Sequence, residues 1–374
     1  MKKKWMCIVI CLLMVATLFA GCGKKDSNNK DTETENTSDT KPLKIAFVTG
    51  PLRTVDGSMN QNIYQGIEKF IQAHPESSVV NVVSETDKPE DMMKTIGEAA
   101  GDFDVLIGSG SQCKGIGKIA LEHSKTCFIL VDAYPTDSAG AVKSYENVYA
   151  MKYAEQESGF CAGMAAALES KKAKVAVVNG VPDSSNRNYQ TGFSAGVDYA
   201  NKHYQTKVEI IELSDYAGKD AAQQNVGGNY IGDNADIEKG KIIGNELIKK
   251  DVDVIFAAAG VAGQGVFTAV KEAVDKPNVK VIGSDADQYD SGALPDRNIV
   301  LTSALKVADV NTAKQLTNVM NGTFKGQNVL LKADTYATGY AKKRGRQQLS
   351  DDTIKKMDDA FNLVRNKTIE IPSF

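Results

Sequence analysis

Several polar side chains stand just past apolar runs, where they could hold a small molecule. The stretch 49–60 (TGPLRTVDGSMN) follows the run KIAFV and carries Asp56, Ser58, Met59 and Asn60. Asp132 follows CFILV, Asp285 and Asp287 follow VKVIG, and Lys306 follows LTSAL. A carboxylate accepts two hydroxyl hydrogens at once, and such charge-assisted bonds are strong in a closed cleft. An Asp–Lys pair across a cleft therefore suits the vicinal hydroxyls of a ribose or another sugar. Each aspartate alone could equally cap a helix. Their joint placement after apolar runs favours binding.

Other motifs carry less. Gly192-Phe193-Ser194-Ala195-Gly196 matches G-x-S-x-G, but a nucleophile elbow needs its serine on a sharp turn directly after a strand. Here the preceding apolar run ends near Val178, and the motif lies inside an amphipathic stretch. Small residues that let a helix pack closely are the better reading. Gly108-Ser109-Gly110 and 260–265 (GVAGQG) are glycine-rich turns that match neither G-x-G-x-x-G nor a Walker A loop. They could place backbone amides near a ligand or simply make tight turns. No histidine or carboxylate spacing suits a transition metal, so neither a metal nor a cofactor is expected.

The elements that must position these residues repeat one pattern. Runs such as VVNVV, VLIG, KVAVV, VDVIFAA and IVLTSA are continuously Val/Ile-rich, which suits parallel strands buried on both faces. Between them Ile63, Ile67, Phe70 and Ile71 fall on one helix face, as do Phe193, Val197 and Ala200. Such alternation predicts an α/β fold of doubly wound parallel sheets. The runs divide better between two lobes than within one wide sheet, with a helix over 153–168 opening the second. Open parallel sheets bind ligands at the carboxyl ends of their strands, so two facing sheets make a cleft with a hinge.

The N-terminus reads as an address. Lys2-Lys3-Lys4, an uncharged run from Trp5 to Ala20 and then Gly21-Cys22 make a secretory signal peptide over 1–21. The polar stretch to residue 42 reads as a disordered tether. The expected lobes are 43–150 with about 298–322, and 151–297 with about 323–374. The segment 216–234 reads as a surface loop. Of the six cysteines, Cys113, Cys127 and Cys161 remain in the body without CxxC spacing; Cys127 and Cys161 read as buried thiols. With 44 Lys+Arg against 47 Asp+Glu, a net charge of −3 argues against nucleic acid as a partner.

The blocks VDGSMNQNIYQG, EQESGFCAGMAAAL, YQTGFSAGV, DVIFAAAGVAGQGV, VIGSDADQ and LTSALK, in that order, resemble the basic membrane protein family of nucleoside-binding lipoproteins. Phe19-Ala20-Gly21-Cys22 resembles the bacterial lipobox. The resemblance spans Leu43 to about Lys343. It implies a type I periplasmic-binding-protein fold and a substrate-binding component of an ABC transporter. Asp56 and Asn60 would contact a purine, with Asp132 a further base contact. Met59, where the family has Phe, and Tyr189 would stack on the base. Gly263, Asp285 and Lys306 would hold the ribose.

The expected protein is thus a monomeric, non-enzymatic lipoprotein on the extracytoplasmic face of the cell membrane. Lipid on Cys22 would anchor it, a nucleoside would be its ligand, and a permease its partner. The alternatives are a surface lipoprotein that senses such a ligand without transport and, less favoured, a nucleoside-processing enzyme, for which no general acid or base is apparent beyond the same aspartates. Lys306→Ala and Asp285→Ala are expected to abolish ligand-induced stabilisation and leave the unliganded melt unchanged.

Overall fold

Runs with apolar side chains pointing both ways can only be covered from both sides, and helices do the covering. The computed structural model describes residues 41–55, 57–219 and 223–374. The chain begins β1 (Lys44–Thr49), α1 (Met59–Ala73), β2 (Ser78–Val83), α2 (Pro89–Ala99), β3 (Val105–Ser109), α3 (Gly117–Glu122), β4 (Cys127–Val131) and β5 (Val148–Tyr153). It continues with α4 (Glu155–Glu169), β6 (Lys174–Asn179), α5 (Ser184–Tyr204), β7 (Glu209–Ile210), β8 (Ala217–Lys219), β9 (Asn225–Tyr230) and α6 (Ile237–Lys249). The remainder is β10 (Val254–Ala258), α7 (Gly263–Glu272), β11 (Lys280–Asp285), β12 (Val300–Lys306), α8 (Ala308–Met320), β13 (Gln327–Leu331), β14 (Thr338–Tyr340) and α9 (Asp351–Arg365).

The strands form two sheets. The first has the order β13-β5-β4-β3-β1-β2, and every pairing in it is parallel. The second has the order β14-β12-β11-β10-β6-β9-β8, with β7 beside β6; only the outer strands β14 and β8 run antiparallel to their neighbours. Period-two alternation divides each strand between two cores. Ile45 and Phe47 of β1 enter one cluster and Ala46 and Val48 the other. In β10, Phe256 joins Phe193 and Tyr189, while Ile255 joins Val266 and Ile243. Each such Val, Ile or Phe contributes about 1.5–3 kcal/mol by leaving water. Two doubly wound α/β lobes result, as expected.

The chain passes between the sheets three times, after β5, after β12 and after β13. The first turn of α4 ties these passages together. Glu157 Oε2 accepts from the Ala333 amide and the Thr338 hydroxyl, each at 2.7 Å. Ser158 Oγ donates to the Leu305 carbonyl at 2.7 Å and accepts from Gly339 N at 3.1 Å.

The expected lobe boundaries differ from this. β12 belongs to the second sheet although 298–322 was assigned to the first lobe, and β13 belongs to the first although 323–374 was assigned to the second. A parallel apolar strand reads alike in either sheet, and only its pairing partner assigns it. The expected surface loop at 216–234 also contains β8 and β9. Its Asn229 is fully buried, donating to Val177 O and Ile211 O and accepting from Leu213 N, so a polar side chain closes the sheet there. Cys161 is buried as expected, whereas Cys127, at the start of β4, is half-buried. Among the described residues no helix is long and apolar enough to cross a membrane.

Candidate functional site

Both sheets direct strand ends toward one buried ammonium. Lys306 is the last residue of β12, and only 2% of its side-chain surface is exposed. Its Nζ donates to Asp132 Oδ2 and Oδ1 at 2.9 and 3.1 Å and to Ser185 Oγ at 3.2 Å. Glu155 Oε1 and Asp285 Oδ1 each lie 3.4 Å from it, and the Tyr189 ring centroid lies at 5.3 Å.

The surrounding groups are held in turn. Asp132 follows β4 and Asp285 ends β11, both in the left-handed backbone region at φ 65° and 67°, a conformation that Asp tolerates better than most residues. Asp285 Oδ1 accepts from the Tyr189 hydroxyl at 3.0 Å and Oδ2 from Ser58 Oγ at 3.1 Å. Ser185 and Tyr189 lie four apart on α5 and so share a face. Ser185 Oγ and Asn188 Nδ2 donate to the two oxygens of Glu155, the first residue of α4, at 3.0 and 3.1 Å. Beneath them, Asn62 of α1 donates to the carbonyls of Asp285 and Lys306 at 3.0 and 2.7 Å.

The cluster thus sets three carboxylates around one ammonium. Burial alone would pull the Lys306 proton off, but Asp132 and Asp285 outweigh it and hold the ammonium well above the usual lysine range. Asp132 moves the other way. Burial pushes it up to about 7, the charges of Glu155 and Asp285 add to this, and Lys306 opposes it. Because the folded protein retains a proton there that the unfolded chain releases, this group's contribution to stability decreases as pH rises between about 4 and about 7. The unfolding free energy of the wild type should therefore rise relative to that of Asp132→Asn on acidification from pH 7.5 to 5, by up to about 1.4 kcal/mol per pH unit, as read by urea unfolding. Parallel pH profiles for the two proteins would rule this out.

Strand ends of both sheets thus bring one ammonium, three carboxylates and the Ser58, Ser185 and Tyr189 hydroxyls into one buried polar cluster, and comparison with known proteins places the chain. The family model described as "ABC transporter substrate-binding protein PnrA-like" (Bmp) matches residues 44–226 and 216–374. The chain belongs to this family.

Among Bmp-related sequences, a "CD4+ T-cell-stimulating antigen" of Listeria innocua is 26% identical over 100% of this chain and 99% of its own length. An "ABC transporter nucleoside-binding protein BmpA" of Lactococcus lactis is 24% identical over 88% of each chain. In fold, the chain is similar to a solute-binding protein of an Aeropyrum pernix ABC transporter, with a TM-score of 0.71 at 21% identity over 88% of this chain and 94% of that one. The Bmp chain is thus a substrate-binding protein of the ABC transporter class.

Asp132, Tyr189, Asp285 and Lys306, singled out in the sequence, converge in this cluster. Tyr189 is bound at its hydroxyl, and its ring meets Phe256 edge-on at 5.4 Å. Asn60, half-buried in the first turn of α1, donates to Arg53 O at 3.2 Å and accepts from Ser109 Oγ at 2.8 Å. Met59 opens α1 and packs half-buried on the first core. Gly263 opens α7, where the neighbouring Gln264 amide faces Gly57. Asp56 and Cys22 lie outside the described residues.

Sequence reasoning missed Glu155, Ser185, Asn188 and Asn62. An acid in the first turn of a helix reads as a partner of the helix dipole, which conceals Glu155. Its one visible signal is the doubled acid of Glu155-Gln156-Glu157, both buried.

Proposed function

We propose that this Bmp-family protein binds a nucleoside in the cleft between its lobes and delivers it to an ABC permease while anchored through lipid on Cys22. The observation that carries the reading is the Asp285–Lys306 pair at adjacent strand ends, 3.4 Å apart, with Tyr189 and Ser58 hydroxyls already donating to Asp285. A ribose diol offers the same two donors to one carboxylate, and Lys306 donates to a sugar oxygen. Met59 and Tyr189 would flank the base. A thioether against an aromatic ring contributes about 0.3–1.5 kcal/mol, so Met59 in place of an aromatic residue gives a softer base pocket. Closure of the lobes over the ligand makes the shape that a permease recognises.

The name of the Lactococcus relative supports the ligand class. The sequence Phe19-Ala20-Gly21-Cys22 supports the anchor, since two or more acyl chains suffice to hold a protein at a membrane.

Thermal melting against nucleosides, free bases and free sugars tests the ligand. At a hundredfold excess over Kd a nucleoside should stabilise the protein by about 2.7 kcal/mol. Stabilisation by sugars with none from nucleosides would overturn the assignment. Turnover of the added nucleoside would replace it with an enzyme.

A further inference from the structure

Resting on the nucleoside reading, we infer that Glu155 is a selectivity residue that makes the cleft reject anionic ligands, so that a nucleoside enters and its phosphate ester does not. Glu155 is fully buried. Its carboxylate lies 3.4 Å from Lys306 Nζ, so it stands in the wall of the cluster with Asp132 and Asp285. Both of its oxygens are held, by Ser185 Oγ at 3.0 Å and Asn188 Nδ2 at 3.1 Å, so the charge cannot swing away when a ligand arrives.

Among the described residues, Lys306 is the one cation paired with any of these three carboxylates. Its ammonium is already shared among all of them and the Ser185 hydroxyl. Other cations of the neighbouring elements are turned elsewhere, with Lys152 over the Tyr134 ring and Arg187 over the Phe374 ring. Sites that take phosphate supply Arg forks or helix N-terminal amides. Here the first turn of α4 presents Glu155, while in α5 the Ser185 and Asn188 side chains hold that carboxylate and the Asn186 amide is capped by Asp183. A phosphate entering this wall meets fixed like charge at low dielectric, whereas hydroxyl groups can donate to the carboxylates. Like charges brought together across a desolvated contact are strongly selected against.

The test compares the dissociation constants of a nucleoside and its 5′-monophosphate for the wild type, Glu155→Gln and Glu122→Gln by calorimetry at pH 8. Glutamine keeps an acceptor for Ser185 and removes the charge. Glu122 is an exposed residue paired with Lys118 and controls for the change in net charge. The wild type should favour the nucleoside strongly, and Glu155→Gln should narrow the ratio of the two constants by about tenfold or more. Glu122→Gln should leave the ratio as in the wild type. Should Glu155→Gln not fold, Glu155→Ala gives the same ratio to read.

A wild type that binds both ligands within tenfold overturns the inference alone, as does an unchanged ratio in the folded variant. A wild type that binds neither removes the nucleoside reading, and this inference with it.

Discussion

Replacing Lys306 with methionine should lower the unfolding free energy by about 3–5 kcal/mol, because it strands buried charge that nothing else neutralises. The ammonium is the shared partner of Asp132, Glu155 and Asp285 and is 2% exposed. Methionine fills the stem's volume, so the loss reports charge rather than a cavity. Asp132, whose carboxyl burial already pushes up, can escape by taking up a proton, so the deficit should be larger at pH 8 than at pH 5. Urea unfolding at the two pH values measures it, together with loss of ligand-induced stabilisation. Equal stability of variant and wild type at pH 8 would show that the cluster is not as buried or as charged as described. Lys306→Ala likewise cannot leave the unliganded melt unchanged, as sequence reasoning expected, since a strand-end lysine reads as solvated until its three acidic neighbours are seen.

Gly196→Ala is the second large effect. α4 and α5 touch backbone to backbone: a Cβ on Gly196 would fall on the Phe160 carbonyl, one on Gly192 on the Gln156 carbonyl, and one on Gly163 on the Phe193 carbonyl. Alanine would add about 1 kcal/mol of helix propensity, but forcing the helices apart costs typically 1–3 kcal/mol or more. The steric term wins, and the variant should unfold earlier in urea. The damage should also reach the cleft, because α4 carries Glu155 while α5 carries Ser185 and Tyr189. Ligand affinity should therefore fall along with stability. A variant stabilised by about the propensity gain would disprove the close contact. This is the role of the G-x-S-x-G match: its glycines are where α5 meets α4, and its serine lies mid-helix.

Much of the buried cluster was legible because local chemistry marked its members. Asp132, Asp285 and Lys306 each follow an apolar run, and a parallel strand delivers whatever follows it to the ligand-binding edge of the sheet. Glu155 was not legible, since its meaning depends on an ammonium 151 positions away. Nor was the burial of Asn229 in 216–234, where glycines and amides imitate a loop. Polar residues in β9 are tolerated because Asn229 bonds three backbone groups.

The order and composition of the apolar runs, by themselves, determined an α/β fold of parallel sheets, favoured two lobes over one, and put acid and base at the strand ends. Family membership was likewise written in short ordered blocks. The tertiary structure alone decided which strand joins which sheet, and that one lysine must serve three carboxylates. Lys306 and Asp132 are 174 residues apart. Their pairing follows from the passages between the sheets and from the packing of α4 on α5. Contacts of that range depend on register and packing between distant segments, and no local pattern of residues encodes them.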